Sequence, residues 1–306
     1  AVVAAACTKH ENNKGAFMGA GFASLAMAAL TRHGADASSL QMACRAIVAV
    51  TKNDGVVTVS QVASRAFDNA RQLARAGLLP ELLKAVQTQA PAIAGSEQVG
   101  LSNEAGSASV EEEVCASALE ALQHICVNNE ICKQVGVELE AAVFIVNQLP
   151  CQSSGLVAKG LCGLLRQLLG SDDIKTLVLG LDCAEKLTQT MNLHSQKPHV
   201  VEQALGALAA FMMRLPTAAE AVAKAGAIEV TTQLMEEHAA NALVQRQACM
   251  TLRNVVCRNP DNIPLVTSAG AEALLRAACE AHSNCRDVAP AALRDLGLPY
   301  SFDTAS

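Results

Sequence analysis

The feature that most limits what this chain can become is a recurring unit: a glycine or small-residue pair followed by an apolar helical run. It appears as GAGFASLAMAAL, RAGLLPELLKAV, QVGVELEAAVFIV, VLGLDCAEKL, KAGAIEVTTQLM and SAGAEALLRAAC. The anchoring glycines are Gly21, Gly77, Gly136, Gly180, Gly226 and Gly270, spaced 56, 59, 44, 46 and 44 residues apart. A period in the forties holds a few short helices, and one such unit is too small to close a core of its own. Units of this kind stack and share a continuous interior, as α-solenoids do.

Each glycine follows a short polar element rich in Asn or Asp, seen in HENNKGAF, VNNEICKQ, GSDDIKTL and RNPDNIPLV. Before that element lies a longer amphipathic stretch. Val244, Ala248, Leu252 and Val255 or Val256 form one stripe there, and Val114, Ala118, Leu122 and Ile125 form another. Apolar residues three and four apart share one helical face. The unit therefore reads as a short helix, a glycine corner, a second helix, a loop and a long third helix. Glycine suits the corner because it reaches positive φ without a Cβ clash. The predicted fold is all-α, a right-handed α-solenoid of three-helix repeats with a concave face built from third helices. Roughly six repeats fill residues 1–299 as a single array, and 300–306 form a tail. The opening residues Ala1-Val2-Val3-Ala4-Ala5-Ala6-Cys7 read as the end of a helix belonging to a truncated first repeat. The two long spacings predict insertions near residues 53–69 (NDGVVTVSQVASRAFDN) and 87–109 (QTQAPAIAGSEQVGLSNEAGSAS), the second a mobile surface loop.

Composition agrees with close helix packing. Hydrophobic residues make up 51% of the chain but aromatics only 2%, with no Trp, so the core is built from Ala, Leu and Val. With 29 acidic against 23 basic residues the net charge is −6, and there is no basic run, which argues against nucleic acid as a partner. No stretch approaches about 18 uninterrupted apolar residues, so no membrane span is expected. The twelve cysteines sit inside apolar helical runs, such as Cys44 in MACRAIVAV, Cys162 in LCGLLRQLL and Cys249 in QACMTLRNVV. That placement predicts reduced core thiols in a cytoplasmic or nuclear protein.

The run from Gln247 to Gly297, QACMTLRNVVCRNPDN through SAGAEALLRAACEAHSNCRDVAPAALRDLG, resembles the armadillo-repeat family. Similarity extends upstream through LRQLLGSDDIK, ICVNNEICKQVG, ACRAIVAVTKND and ACTKHENNKGAF, covering nearly the whole chain. The resemblance implies an armadillo-type solenoid and a eukaryotic source, and points to no particular activity. Pro290 departs from the pattern, since proline is tolerated in a first helical turn but costly further in, and this places the start of the final helix in question.

In armadillo-type nuclear-import adaptors, which this sequence resembles in fold, third helices carry a repeated Trp-x-x-x-Asn pair that grips a basic peptide. Aligning on QACMTLRNVV puts Asn254 at the Asn position, with Ala49, His124, Gln167 and Ala210 as its equivalents. Four residues earlier stand Arg45, Glu120, Gly163, Gly206 and Met250, and Trp is absent, so that mechanism does not apply. The groove candidates are Asn254, Met250, Gln167, His124, Glu120 and Arg45. Asn254 either grips a partner's backbone or caps a neighbouring loop. His33, His238 and His282 each follow their glycine by 12 residues. They read as helix C-caps rather than as a metal or pH-sensing row. The cysteines show no C-x-x-C pair, and no zinc site, cofactor or catalytic group is expected. Cys285 beside His282 lacks a third group to make a nucleophile. The expected function is non-enzymatic binding of a partner peptide or helix along the groove, with the acidic balance favouring a basic partner. The alternative is a structural part of a large ciliary or cytoskeletal assembly, docking through convex side and loops.

Overall fold

The computed structural model describes residues 2–32, 36–53, 65–95 and 108–299. Among them all regular structure is helical, with nineteen α-helices, one π-helical segment, three 3-10 turns and no strand. The chain divides into two compact units, Ala1–Ser171 and Asp172–Ser306.

In the first unit, a short helix Val2–Cys7 precedes three triplets. These are Glu11–Gly19, Phe22–Arg32 and Ala37–Thr51; then Arg65–Arg75, Leu78–Gly95 and Val110–Ile125; then Asn129–Lys133, running into the π segment Gln134–Glu138, with Ala141–Gln148 and Gly155–Leu168. The second unit holds three more: Asp172–Leu179, Cys183–Leu193 and Pro198–Met212; Pro216–Lys224, Ala227–Glu237 and Ala242–Val256; Ile263–Ser268, Ala271–Ala281 and Val288–Asp295. Each triplet follows the expected order of short, second and third helix.

Third helices form the spine of each unit. Ala37–Thr51 packs on Val110–Ile125, which packs on Gly155–Leu168, and in the other unit Pro198–Met212, Ala242–Val256 and Val288–Asp295 pack in the same succession. Both predicted stripes lie inward: Val114, Ala118, Leu122 and Ile125, and Val244, Ala248, Leu252 and Val255, are all buried. Burying a Leu or Val side chain contributes about 1.5–3 kcal/mol, and stacking supplies this to every repeat at once. Two glycines set the approach of neighbouring third helices in the first unit. A Cβ on Gly160 would lie 2.7 Å from Leu119, and one on Gly163 would lie 2.8 Å from Gln123.

Polar side chains begin and end these helices. Asp36, Ser154 and Asn241 accept backbone N–H bonds at the starts of third helices, and Ser109 forms a reciprocal capping box with Glu112. Two fully buried lysines close third-helix ends. Lys14 Nζ donates to Glu11 (2.6 Å) and to the carbonyl of Lys52 (2.6 Å). Lys175 Nζ donates to Asp172 (2.9 Å) and to the carbonyl of Met213 (2.6 Å). Each lysine sits on the first helix of a triplet and reaches 38 residues on to the end of its third helix. A buried ammonium is tolerated because a carboxylate and an orphan helix carbonyl meet it together.

The corner between first and second helices has positive φ, as expected, at Gly21, Gly77, Gly226 and Gly270. In the third and fourth triplets the sequence assignment is corrected. Gly136 lies inside the π segment and Gly180 in the turn, while the left-handed positions are Glu140 (φ 57°) and Asp182 (φ 53°). A π turn carries an extra residue per turn, which pushes the corner of the third triplet past its glycine. The corners then stand 42, 44 and 44 residues apart from Glu140 through Asp182 and Gly226 to Gly270.

Pro290 is the third residue of Val288–Asp295, inside the first turn, where the missing N–H has no intrahelical partner to lose. Parts of both predicted insertions are helical. Residues 65–69 open a first helix, and 87–95 extend the second helix of their triplet, with Ala90 and Ile93 buried and Gln152 donating to the carbonyl of Ala90 at 2.9 Å. Residues 54–64 and 96–107 of the two insertions lie outside the described residues, as do His33 and the tail from residue 300.

Candidate functional site

The candidate site is the outer surface of the third helices, where one side chain per turn escapes the core. In the first unit Arg45 is exposed and stands 3.8 Å from Glu113 on the next third helix, which also accepts a bond from Gln41 (2.6 Å). Glu120 is exposed, and His124 is half-buried in the last turn of the same helix, where a basic group suits the helix dipole. Gln167 is exposed, yet its amide donates to the carbonyl of Cys126, at the end of the preceding third helix (3.2 Å). Gln123 donates in the opposite direction, to Gly160 (3.0 Å).

In the second unit Met250 and Asn254 are half-buried, one turn apart on Ala242–Val256. Asn254 donates to the carbonyl of Ala209 (2.9 Å), in the last turn of the preceding third helix, and Thr251 donates to Leu205 (3.0 Å). Asn254 and Gln167 therefore make the same kind of bond, from one third helix to the end of the one before. On the other side, Arg246 makes a two-pronged bond to Asp287 (2.5 and 2.9 Å) and reaches the carbonyl of Asn284, while Arg253 bonds Asp295 (2.9 Å). The Arg246 guanidinium holds the Asp287 carboxyl down to about 2. Glu120 and His124 share a helix, as do Met250 and Asn254. The sequence does not show the ladder of helix-to-helix polar bonds, because each bond joins residues 37 to 72 positions apart.

The histidines act as caps. His238 and His282 follow the last residues of Ala227–Glu237 and Ala271–Ala281, and their Nε2 atoms meet the carbonyls of Ser195 (2.6 Å) and Ala239 (2.8 Å). Each carbonyl belongs to the residue just after the histidine one repeat earlier. The corrected corner at Asp182 adds His194, also 12 residues on, so the row runs 194, 238, 282 through consecutive repeats. Misplacing the corner at Gly180 hid this member.

All twelve cysteines are free, and only Cys151 and Cys257 are exposed. Burial pushes the thiols of Cys44, Cys115 and Cys162 up to about 12, which leaves them protonated and inert. Cys285 is buried and donates to Asn284 Oδ1 (3.6 Å), while His282 Nε2 faces Ala239, so the two do not form a nucleophile and base. Among the described residues no group of three or more His, Cys, Asp or Glu could hold a metal ion, and no helix is long and apolar enough to cross a membrane.

No protein-family model matches the chain. It is 30% identical over 221 residues to Armadillo repeat-containing protein 6 of Pongo abelii and, at the same identity and length, to that of Homo sapiens. The matches cover 69% of this chain, which spans 40% of the length of those relatives. Among solved structures, the designed armadillo repeat protein YIII(Dq)4CqI superposes with a TM-score of 0.63 at 21% identity, covering 85% of this chain and 94% of its own. A second design, YIII(Dq.V1)4CPAF in complex with the peptide (KR)4, matches with a TM-score of 0.61 at 21% identity and the same coverage.

Proposed function

We propose that this chain, an armadillo-repeat solenoid distantly homologous to Armadillo repeat-containing protein 6, is a non-enzymatic binding module that takes a partner's peptide or helix along its third helices. The observation that carries this reading is the register of the outward residues. His124 and Gln167 occupy corresponding places on the third helices Val110–Ile125 and Gly155–Leu168, which pack side by side, and Met250 and Asn254 stand one turn apart at the register of Glu120 and His124 on a third helix of the other unit. A row of equivalent side chains at a fixed step suits a partner that is itself a chain, gripped by many modest contacts and a few buried anchors. That a designed armadillo protein of similar fold was solved with a (KR)4 peptide supports the same mode.

Asn254, Met250, Gln167, His124, Glu120 and Arg45 are the proposed contact residues. Three of them already bond a neighbouring third helix, so they offer a partner their remaining polar edges rather than a whole side chain. The test is selection of binders from a displayed library of random twelve-residue peptides, followed by counter-screening on a Met250→Arg, Glu120→Arg double variant. Met250 is half-buried and Glu120 exposed, so the helices tolerate the change, and an unaltered melting curve checks it. Selected peptides are expected to lose at least tenfold in affinity on the double variant. Failure to select any peptide, or peptides indifferent to both substitutions, rejects the reading. Peptides lost instead on Leu177→Asp or Leu265→Asp, which change exposed leucines of short helices, support docking through the other helices, as in a large assembly.

A further inference from the structure

Where the third helices Pro198–Met212 and Ala242–Val256 end, a small pocket opens beside Asn254. Met213, Pro216 and Ala219 give it an apolar lining, and Arg214, Cys257 and Arg258 complete the rim. Met213 is 46% exposed, so apolar surface stands open to solvent here.

One feature sets this place apart from the rest of the surface. Arg214 and Arg258 are 44 residues apart and occupy the same register, each one residue past the C-cap of its third helix. Both guanidinium-bearing residues line the one pocket, and no carboxylate does. Asp172 does bond Arg214 (3.0 Å), but it is shared with Lys175 (2.9 Å), so two cations meet one anion and a positive charge remains. Arg258 adds another.

We infer that this rim binds an extended acidic segment of a partner protein, in which two carboxylates flank one apolar side chain. The inference rests on the proposed peptide-binding role and specifies the partner's chemistry at one end of the surface. Packed helices are about 8–10 Å apart, which sets the step between the two arginines. Alternate residues of an extended strand face the same way, and four residues advance about 13 Å. Flexible arginine side chains reach over the difference. The pattern acid-x-apolar-x-acid therefore sets its central side chain over the pocket while each carboxylate meets a guanidinium, which binds carboxylates in a two-pronged, charge-assisted geometry. The segment is acidic although the chain as a whole carries −6, because local charge at the rim governs the contact.

The test uses a fluorescein-labelled peptide containing Asp-Ser-Leu-Ser-Asp, titrated with the whole chain by fluorescence anisotropy at low salt. Three comparison peptides carry Asn-Ser-Leu-Ser-Asn, Asp-Ser-Ser-Ser-Asp and the (KR)4 sequence. Saturable binding is expected, weakened at least tenfold by Arg258→Glu, by the Asn exchange and by the Leu exchange, with (KR)4 weaker still. Arg258 makes no bond needed for folding, and an unchanged melting curve for R258E confirms that. Arg258→Lys, which keeps the charge but not the fork, retains intermediate affinity. Absence of binding up to about 1 mM peptide, indifference to R258E, or preference for (KR)4 overturns the inference. If library-selected peptides are lost on the Met250 and Glu120 double variant yet ignore R258E, the peptide-binding reading stands and this inference alone fails.

Discussion

At the residue scale, the fold depends on side chains that close the ends of helices belonging to other segments. Lys14 and Lys175 do this from complete burial, His238 and His282 from one repeat after the helix end they serve, and Asn254 and Gln167 from one third helix to the preceding one. An unmet helix carbonyl buried away from water costs about 1–3 kcal/mol, so each cap matters more than its single bond suggests. Glu140 shows the opposite case. It is exposed, makes no cap bond, and sits left-handed at φ 57° where the other corners mostly use glycine. Glu140→Gly is expected to raise the unfolding free energy by about 1 kcal/mol, the cost of left-handed backbone relieved, less the greater freedom glycine gives the unfolded chain. Urea denaturation measures this, and a lowered midpoint would refute the account. The sequence offered a glycine four residues earlier, at Gly136, and nothing local distinguished it from a true corner.

At the scale of elements, the apolar stripes of the third helices were readable because helical periodicity alone sets which residues share a face. How closely two such helices approach was not. Gly160 and Gly163 look like ordinary interruptions of a leucine-rich run, LVAKGLCGLL. The structure places them against Leu119 and Gln123 of the neighbouring third helix. Gly160→Ala is therefore expected to destabilise by about 1–3 kcal/mol, despite alanine's higher helix propensity. A stabilising outcome in thermal or chemical unfolding would mean that the helices separate freely. The helical extension through residues 87–95 follows the same logic. The segment QTQAPAIAG reads as a loop by composition, but Ala90 and Ile93 find a buried surface, and Gln152 binds the backbone there from 62 residues away.

At the scale of the whole molecule, the twelve cysteines give a direct check on the architecture. Ten are buried and two, Cys151 and Cys257, are exposed. A thiol reagent should modify about two groups in the native protein and all twelve once it is unfolded without reductant. Fewer than twelve after unfolding would reveal disulfides, and many more than two before it would mean that the helices do not stack as described. By itself the sequence determined the helical class, the three-helix unit and the inward stripes, because helix propensity, the 3.6-residue period and the spacing of corners are local properties of the chain. It also singled out Asn254, Gln167 and Arg45 as contact candidates. Only the tertiary structure decided what those side chains do, which corners lack glycine, and that Arg214 and Arg258 share one pocket. The bonds and the shared pocket are meetings of residues on neighbouring repeats, and a linear pattern carries period but not the distance between neighbouring turns of the stack.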